Sequence, residues 1–92
     1  MSRLINIGFG NVVNADKVVT IVSPDAAPVK RMVQNAKELG RAVDATQGRK
    51  TKAVIVTGED ILILSALQPE TIAKRFSSYT NFEQKEEYEE NE

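Results

Sequence analysis

Apolar residues along this chain come in short clusters, and the spacing inside the clusters changes from one segment to the next. Val18-Val19-Thr20-Ile21-Val22 is β-branched or hydroxyl-bearing throughout and predicts a strand. Leu4-Ile5-Asn6-Ile7 predicts a shorter one. Gly8-Phe9-Gly10-Asn11 follows as a turn, because Gly and Asn accept positive φ, and Val12-Val13 resumes the pairing. Asn14-Ala15-Asp16-Lys17 reads as a second turn. Beyond it the period changes. Val29, Met32, Val33, Ala36 and Leu39 repeat at helical spacing and give one apolar face. Asp25 is placed to cap that helix, Pro28 falls in its first turn, and Gly40 is a natural stop. The opposite face holds Lys30, Gln34, Lys37 and Arg41, with Arg31 beside it, and is solvated and basic.

Ala42-Val43-Asp44-Ala45 is a weaker strand, with the loop Thr46-Gln47-Gly48-Arg49-Lys50 behind it. Ala53-Val54-Ile55-Val56-Thr57 and Ile61-Leu62-Ile63-Leu64-Ser65-Ala66 make a hairpin, with Gly58-Glu59-Asp60 as its solvated corner. Pro69 opens a second helix predicted to end near Phe76, with Glu70 in its first turn and Lys74-Arg75 in its last, both suited to the helix dipole. From Ser77 the chain is polar and Glu-rich, with scattered Tyr79, Phe82 and Tyr88, and predicts disorder. The pattern therefore gives one α+β domain over residues 1–76, a small mostly antiparallel sheet with one main helix and one short C-terminal helix. An acidic disordered tail over residues 77–92 follows.

The runs Val54-Ile55-Val56 and Ile61-Leu62-Ile63-Leu64 are continuous rather than alternating, and such strands want cover on both faces. Two short helices cover one face of a small sheet and hardly two. Either these strands are merely central, or the second face packs on another subunit. The chain has no Cys and no His, so neither a disulfide nor a structural zinc site can reinforce the small core. Self-association remains. No apolar run approaches the roughly 18 residues of a membrane span, and no secretory leader is readable, so a cytoplasmic protein is expected.

Composition also limits the chemistry. Without His or Cys, the commonest general base and the thiol nucleophile are missing, and no enzyme, cofactor or metal is expected. Gly8-Phe9-Gly10 begins like a dinucleotide fingerprint, but Val13 stands where its third glycine belongs. Gly48-Arg49-Lys50-Thr51 resembles the end of a phosphate loop, but Val43 replaces the first glycine and a strand follows.

Charge gives the positive signal. The first 76 residues carry 11 Lys/Arg against 7 Asp/Glu, and the last 16 carry one Lys against 6 Glu. The net of −1 is thus a +4 body joined to a −5 tail. Arg49 and Lys50 are adjacent on a tight loop, Lys52 follows two residues on, Lys17 lies in another strand-connecting turn, and Arg31 and Lys30 lie near the helix start. If those turns share an edge they form a patch of cations suited to a polyanion. Phe9 is the only aromatic in the first 75 residues, so base stacking has little to use, and contacts should go mostly to phosphates. The tail either competes for this patch or merely solubilises the chain.

Four motifs occur in order. They are Ile5-Asn6-Ile7-Gly8-Phe9-Gly10-Asn11, Ile21-Val22-Ser23-Pro24-Asp25-Ala26-Ala27-Pro28-Val29-Lys30-Arg31, Asp44-Ala45-Thr46-Gln47-Gly48-Arg49-Lys50-Thr51 and Leu64-Ser65-Ala66-Leu67-Gln68-Pro69-Glu70-Thr71. Together they closely resemble the RemA family of bacterial extracellular-matrix regulators, over residues 3 to about 76. The resemblance implies a DNA-binding transcriptional regulator of biofilm-matrix genes. It also implies a ring-like homo-oligomer, a heptamer or octamer, whose basic rim follows double-stranded DNA at the nucleoid. It carries the DNA-contacting cations onto Lys17, Arg49 and Lys50 and the helix-start proline onto Pro28. Lys stands at 17 and 50 where the best-known members have Arg, which keeps phosphate attraction but not bidentate contacts. An RNA-binding regulator and an oligomeric scaffold that recruits an acidic protein are the alternative readings. No membrane and no small-molecule substrate are expected as partners.

Overall fold

The computed structural model describes residues 3–80, with side chains to Ser77. The chain runs β1 (Leu4–Gly8), β2 (Asn11–Asn14), a 3₁₀ turn (Ala15–Lys17), β3 (Val18–Val22), α1 (Ala27–Glu38), β4 (Ala42–Asp44), β5 (Ala53–Thr57), β6 (Leu62–Ser65) and α2 (Pro69–Thr80). The elements build a small α+β fold, with two sheets rather than the single one expected. β1 and β2 form an antiparallel hairpin, and the other strands form a sheet ordered β3-β5-β6-β4. In that sheet β5 pairs antiparallel with both β3 and β6, and β4 joins β6 in parallel. β3 and β4 therefore occupy the two edges, and α1 crosses over β5 and β6 to connect them.

The four-stranded sheet is a middle layer. On one side Ala36, Val29 and Val33 of α1 pack on Val54, Leu62 and Leu64. On the other side Ile5, Ile7 and Val13 of the hairpin, with Ile72 of α2, pack on Ala53 and Ile55. Of the two alternatives, the strands are central, and the second sheet face is covered within the subunit rather than left for another one. The β1–β2 hairpin supplies it, because its alternation turns Ile5, Ile7 and Val13 inward and leaves Leu4 and Val12 outside. Ser65 fixes the hairpin to the sheet. Its buried hydroxyl donates to the Ile7 carbonyl at 2.9 Å and accepts from the Leu67 N–H at 3.1 Å.

Asp25 does not cap α1. The helix begins after Ala26, which has no side-chain acceptor to offer, and the Asp25 N–H instead donates to the Ser23 hydroxyl. Pro28 sits in the first turn, where its missing N–H costs no helical bond. At the far end Gly40 has a φ of +70°, the Gly40 N–H donates to the Lys37 carbonyl and the Arg41 N–H to the Ala36 carbonyl. That is a Schellman ending, and it needs the positive φ glycine supplies. α2 continues to Thr80, past the end expected near Phe76, so residues 77–80 are helical rather than part of a tail. The acidic stretch over 81–92 lies outside the described residues.

Candidate nucleic-acid interface

The cationic loop owes its shape to Asp44 and Thr46. The Asp44 carboxylate accepts from the Thr46 N–H at 2.9 Å and from the Thr46 hydroxyl at 2.6 Å. These bonds, the hydroxyl's first, hold the Asp44 carboxyl below its usual range, helped by the positive charge of Lys37. Thr46 is buried, and its carbonyl accepts from the Arg49 N–H at 3.0 Å. Between them Gln47 and Gly48 have φ of +55° and +77°, as in a type I′ turn. The turn ends with Arg49 and Lys50 exposed at its tip. Lys52 then enters β5, its N–H donating to the Ser65 carbonyl at 2.8 Å. No ion pair among the described residues involves Arg49, Lys50 or Lys52.

A second turn of the same kind sits beside the first. Gly8 and Asn11 close the β1–β2 hairpin around Phe9 and Gly10, with φ of +55° and +79°. For Phe9 this backbone costs about 1 kcal/mol, since its Cβ crowds the following carbonyl. Its ring is half-exposed, and the Arg49 guanidinium lies 5.4 Å from the ring centroid. The sequence placed Phe9 in a turn, but nothing in it placed that turn against a loop forty residues away. The one available sign was an aromatic residue between two glycines, where a hairpin turn favours Asn or Asp.

Other cations gather at this end of the sheet. Lys30 and Lys37 of α1 line a shallow groove with Thr51 and Leu64. Lys30 is expected in this patch together with Arg31, which is exposed on α1 outside the lining of that groove. Arg75 of α2 reaches the outer side of β1, where it donates to the Asn6 carbonyl at 2.8 Å.

Lys17 is elsewhere. Its carbonyl accepts from the Gly58 N–H at 2.9 Å, and Val18 pairs with Thr57, so it lies at the hairpin-corner end of β5. The Arg49 loop enters β5 at Ala53, roughly 13 Å away along the strand. The condition under which these turns would form one patch, a shared edge, is therefore not met for Lys17 within one subunit. Lys17 is also paired, its ammonium 3.2 Å from the Glu59 carboxylate. The corner expected to be only solvated thus engages two cations, because Asp60 lies 4.0 Å from Arg41.

Among the described residues, apolar side chains stay uncovered at several places, Val19 on β3 and Val43 on β4 among them. Leu4 and Val12 are exposed on the outer face of the hairpin, and Met32 and Leu39 on α1 line a groove with Leu62 and Val56. The stripe expected to bury Val29 through Leu39 is thus buried only along its middle. The hairpin and α1 lie on opposite sides of the central sheet, so the patches face different ways.

Residues 4–76 match the family model described as RemA-like, extracellular matrix regulatory protein A-like. The chain belongs to the RemA-like family. Close relatives cover nearly the whole chain. A protein of Lachnoclostridium phytofermentans is 59% identical over 86 residues, 94% of each chain. One from Alkaliphilus oremlandii is 60% identical over 79 residues, 86% of this chain and 85% of its own. One from Geobacillus thermodenitrificans is 55% identical over 82 residues, 89% of this chain and 94% of its own. Each carries the name "Putative regulatory protein". In this RemA-like chain no helix among the described residues is long and apolar enough to cross a membrane. Nor does any group of three acidic residues there converge as metal ligands would.

Proposed function

We propose that this RemA-like protein is a DNA-binding regulator that works as a ring-like homo-oligomer and presents Arg49, Lys50, Lys52 and Lys17 to the phosphate backbone. The family description points to genes of the extracellular matrix, and the names of the relatives point to regulation rather than catalysis. The observation that carries the reading is the Arg49-Lys50 tip, two cations without acidic partners held out by a built turn and flanked by Lys30 and Lys37. Such a tip attracts phosphates without desolvating its charged heads. Oligomerisation supplies what one subunit lacks. A single copy offers a few cations at the Arg49 end and, roughly 13 Å off, a Lys17 already paired with Glu59. Exposed apolar residues lie on both sides of the sheet, so the hairpin face of one copy can meet the α1 face of the next, and such a head-to-tail contact makes a ring where it closes. The ring repeats the tip along the duplex as a multivalent surface.

The test is binding of a short fluorescent duplex, competed with single-stranded RNA, alongside light scattering of the free protein. Duplex preference with a discrete oligomer larger than a dimer is the expected result. Stronger binding of RNA favours the RNA-binding regulator. A stable monomer that ignores both nucleic acids overturns the proposal.

A further inference from the structure

We infer that Phe9 is a positioning residue for Arg49, and that the β1–β2 turn is part of the nucleic-acid interface. The inference rests on the DNA reading above and adds to it a residue that carries no charge. Three observations lead to it. Phe9 has a φ of +55°, in a turn where Asn, Asp or Gly would sit without strain. Phe9 is 47% exposed, so part of it packs on the subunit while the rest stays at the surface beside the cationic loop. Its neighbour is the Arg49 guanidinium, 5.4 Å from the ring centroid. Strain retained at an exposed position points from the outlier toward a function.

Cation–π attraction explains what the ring does. A guanidinium held over an aromatic face within about 6 Å of its centroid is attracted by the ring and still has its N–H donors free for other partners. No carboxylate among the described residues pairs with Arg49, so those donors remain open to a phosphate. The ring thereby removes rotamer freedom that a long side chain would otherwise lose on binding. Ser65 holds the two turns in register by joining Ile7 to β6, the strand that Lys52 also joins. The single aromatic of the sheet region thus serves recognition by orienting a cation, rather than by stacking on bases.

The experiment is a double-mutant cycle on the full chain, read as affinity for a short duplex. Ala at position 9 keeps the Cβ and so the same backbone strain, and only the ring is lost. Phe9→Ala is expected to weaken binding by about two- to fivefold per engaged tip, the range of an exposed cation–π contact. Leu at position 9 should behave like Ala, and Tyr should restore wild-type affinity. In an Arg49→Ala background, Phe9→Ala should have no further effect. Oligomer size should be unchanged and the native fold retained, by circular dichroism, in all of them. If Arg49→Ala leaves affinity intact, the DNA reading of the tip fails and the positioning role with it. If Arg49→Ala weakens binding but Phe9→Ala does not, only the positioning role fails. An equal loss from Phe9→Ala in both backgrounds also overturns it, since the ring would then touch the DNA itself.

Discussion

The Lys17 ammonium and the Glu59 carboxylate lie 3.2 Å apart, joining the turn before β3 to the corner between β5 and β6. Both side chains are exposed, so the pair contributes at most about 1 kcal/mol to folding. Its larger effect is on what Lys17 can do, because Glu59 engages one of its donors and its negative charge opposes an approaching phosphate. Glu59→Gln should therefore tighten duplex binding and steepen its salt dependence. Lys17→Ala should weaken binding in wild type, and by more when Glu59 is already Gln. An anisotropy titration across ionic strengths checks both. Equal affinities for wild type and Glu59→Gln would show that Lys17 makes no phosphate contact.

Arg49→Ala combined with Lys50→Ala should leave the fold and the assembly intact, since exposed substitutions usually stay within about 0.5 kcal/mol. Duplex affinity should fall steeply, because the loss recurs in every subunit that touches DNA. The log–log salt slope should fall by about 0.9 for each phosphate contact removed. Circular dichroism and light scattering confirm that the protein is otherwise unchanged. A double variant with wild-type affinity and slope would reduce the tip to a solvated turn.

Leu4 and Leu39 are 60% and 62% exposed, on opposite sides of the sheet. Glu at either position should be tolerated by the subunit and should break a head-to-tail assembly. The mixture is more informative than either variant. Leu4→Glu keeps the α1 patch, Leu39→Glu keeps the hairpin patch, and together they should form a one-to-one heterodimer. Mass photometry or light scattering reads this directly. Homodimers of each variant would instead indicate that each patch meets its own copy.

The Asp44 carboxyl titrates below its ordinary range because it accepts from the Thr46 hydroxyl and then from the Thr46 N–H. A carboxyl depressed by folding stabilises the fold fully above its unfolded value of about 3.9, and loses that effect as pH falls through the lower folded value. The Thr46 and Arg49 amide resonances should therefore shift together only in acid, below about pH 4. Asp44→Ala should produce the same shift at neutral pH and weaken duplex binding. Both bonds end on the one Oδ1, so Asp44→Asn keeps their acceptor and loses only the charge that strengthens them, and should fall between. Loop resonances that ignore both acid and Asp44→Ala would remove Asp44 as the organiser of this turn.

Much of the fold depends on short-range physics and is legible in the residues alone. β-branched runs made β3 and the β5–β6 hairpin readable, Gly40 marked the end of α1, and Gly48 marked the turn before Arg49. Four ordered motifs carried the family. Asp25 misled because a capping residue type says nothing about whether the helix starts one residue later. Met32 and Leu39 were read correctly as part of one stripe, but the width of the layer beneath a helix decides how much of its stripe is buried. Which of the α1 cations Lys30, Arg31 and Lys37 line the groove beside Thr51 follows from the same cause, since the rotation of α1 about its axis is set by packing. Tertiary structure alone decided that the β1–β2 hairpin covers the second face of the sheet, that Phe9 meets Arg49, and that Lys17 and Arg49 stand at opposite ends of β5. Each of these is a contact between segments distant in the chain, and local propensity carries no record of which distant segment will be adjacent. Packing of Ile5, Ile7 and Val13 onto Ala53 and Ile55 makes that choice, and the charged side chains go where it leaves them.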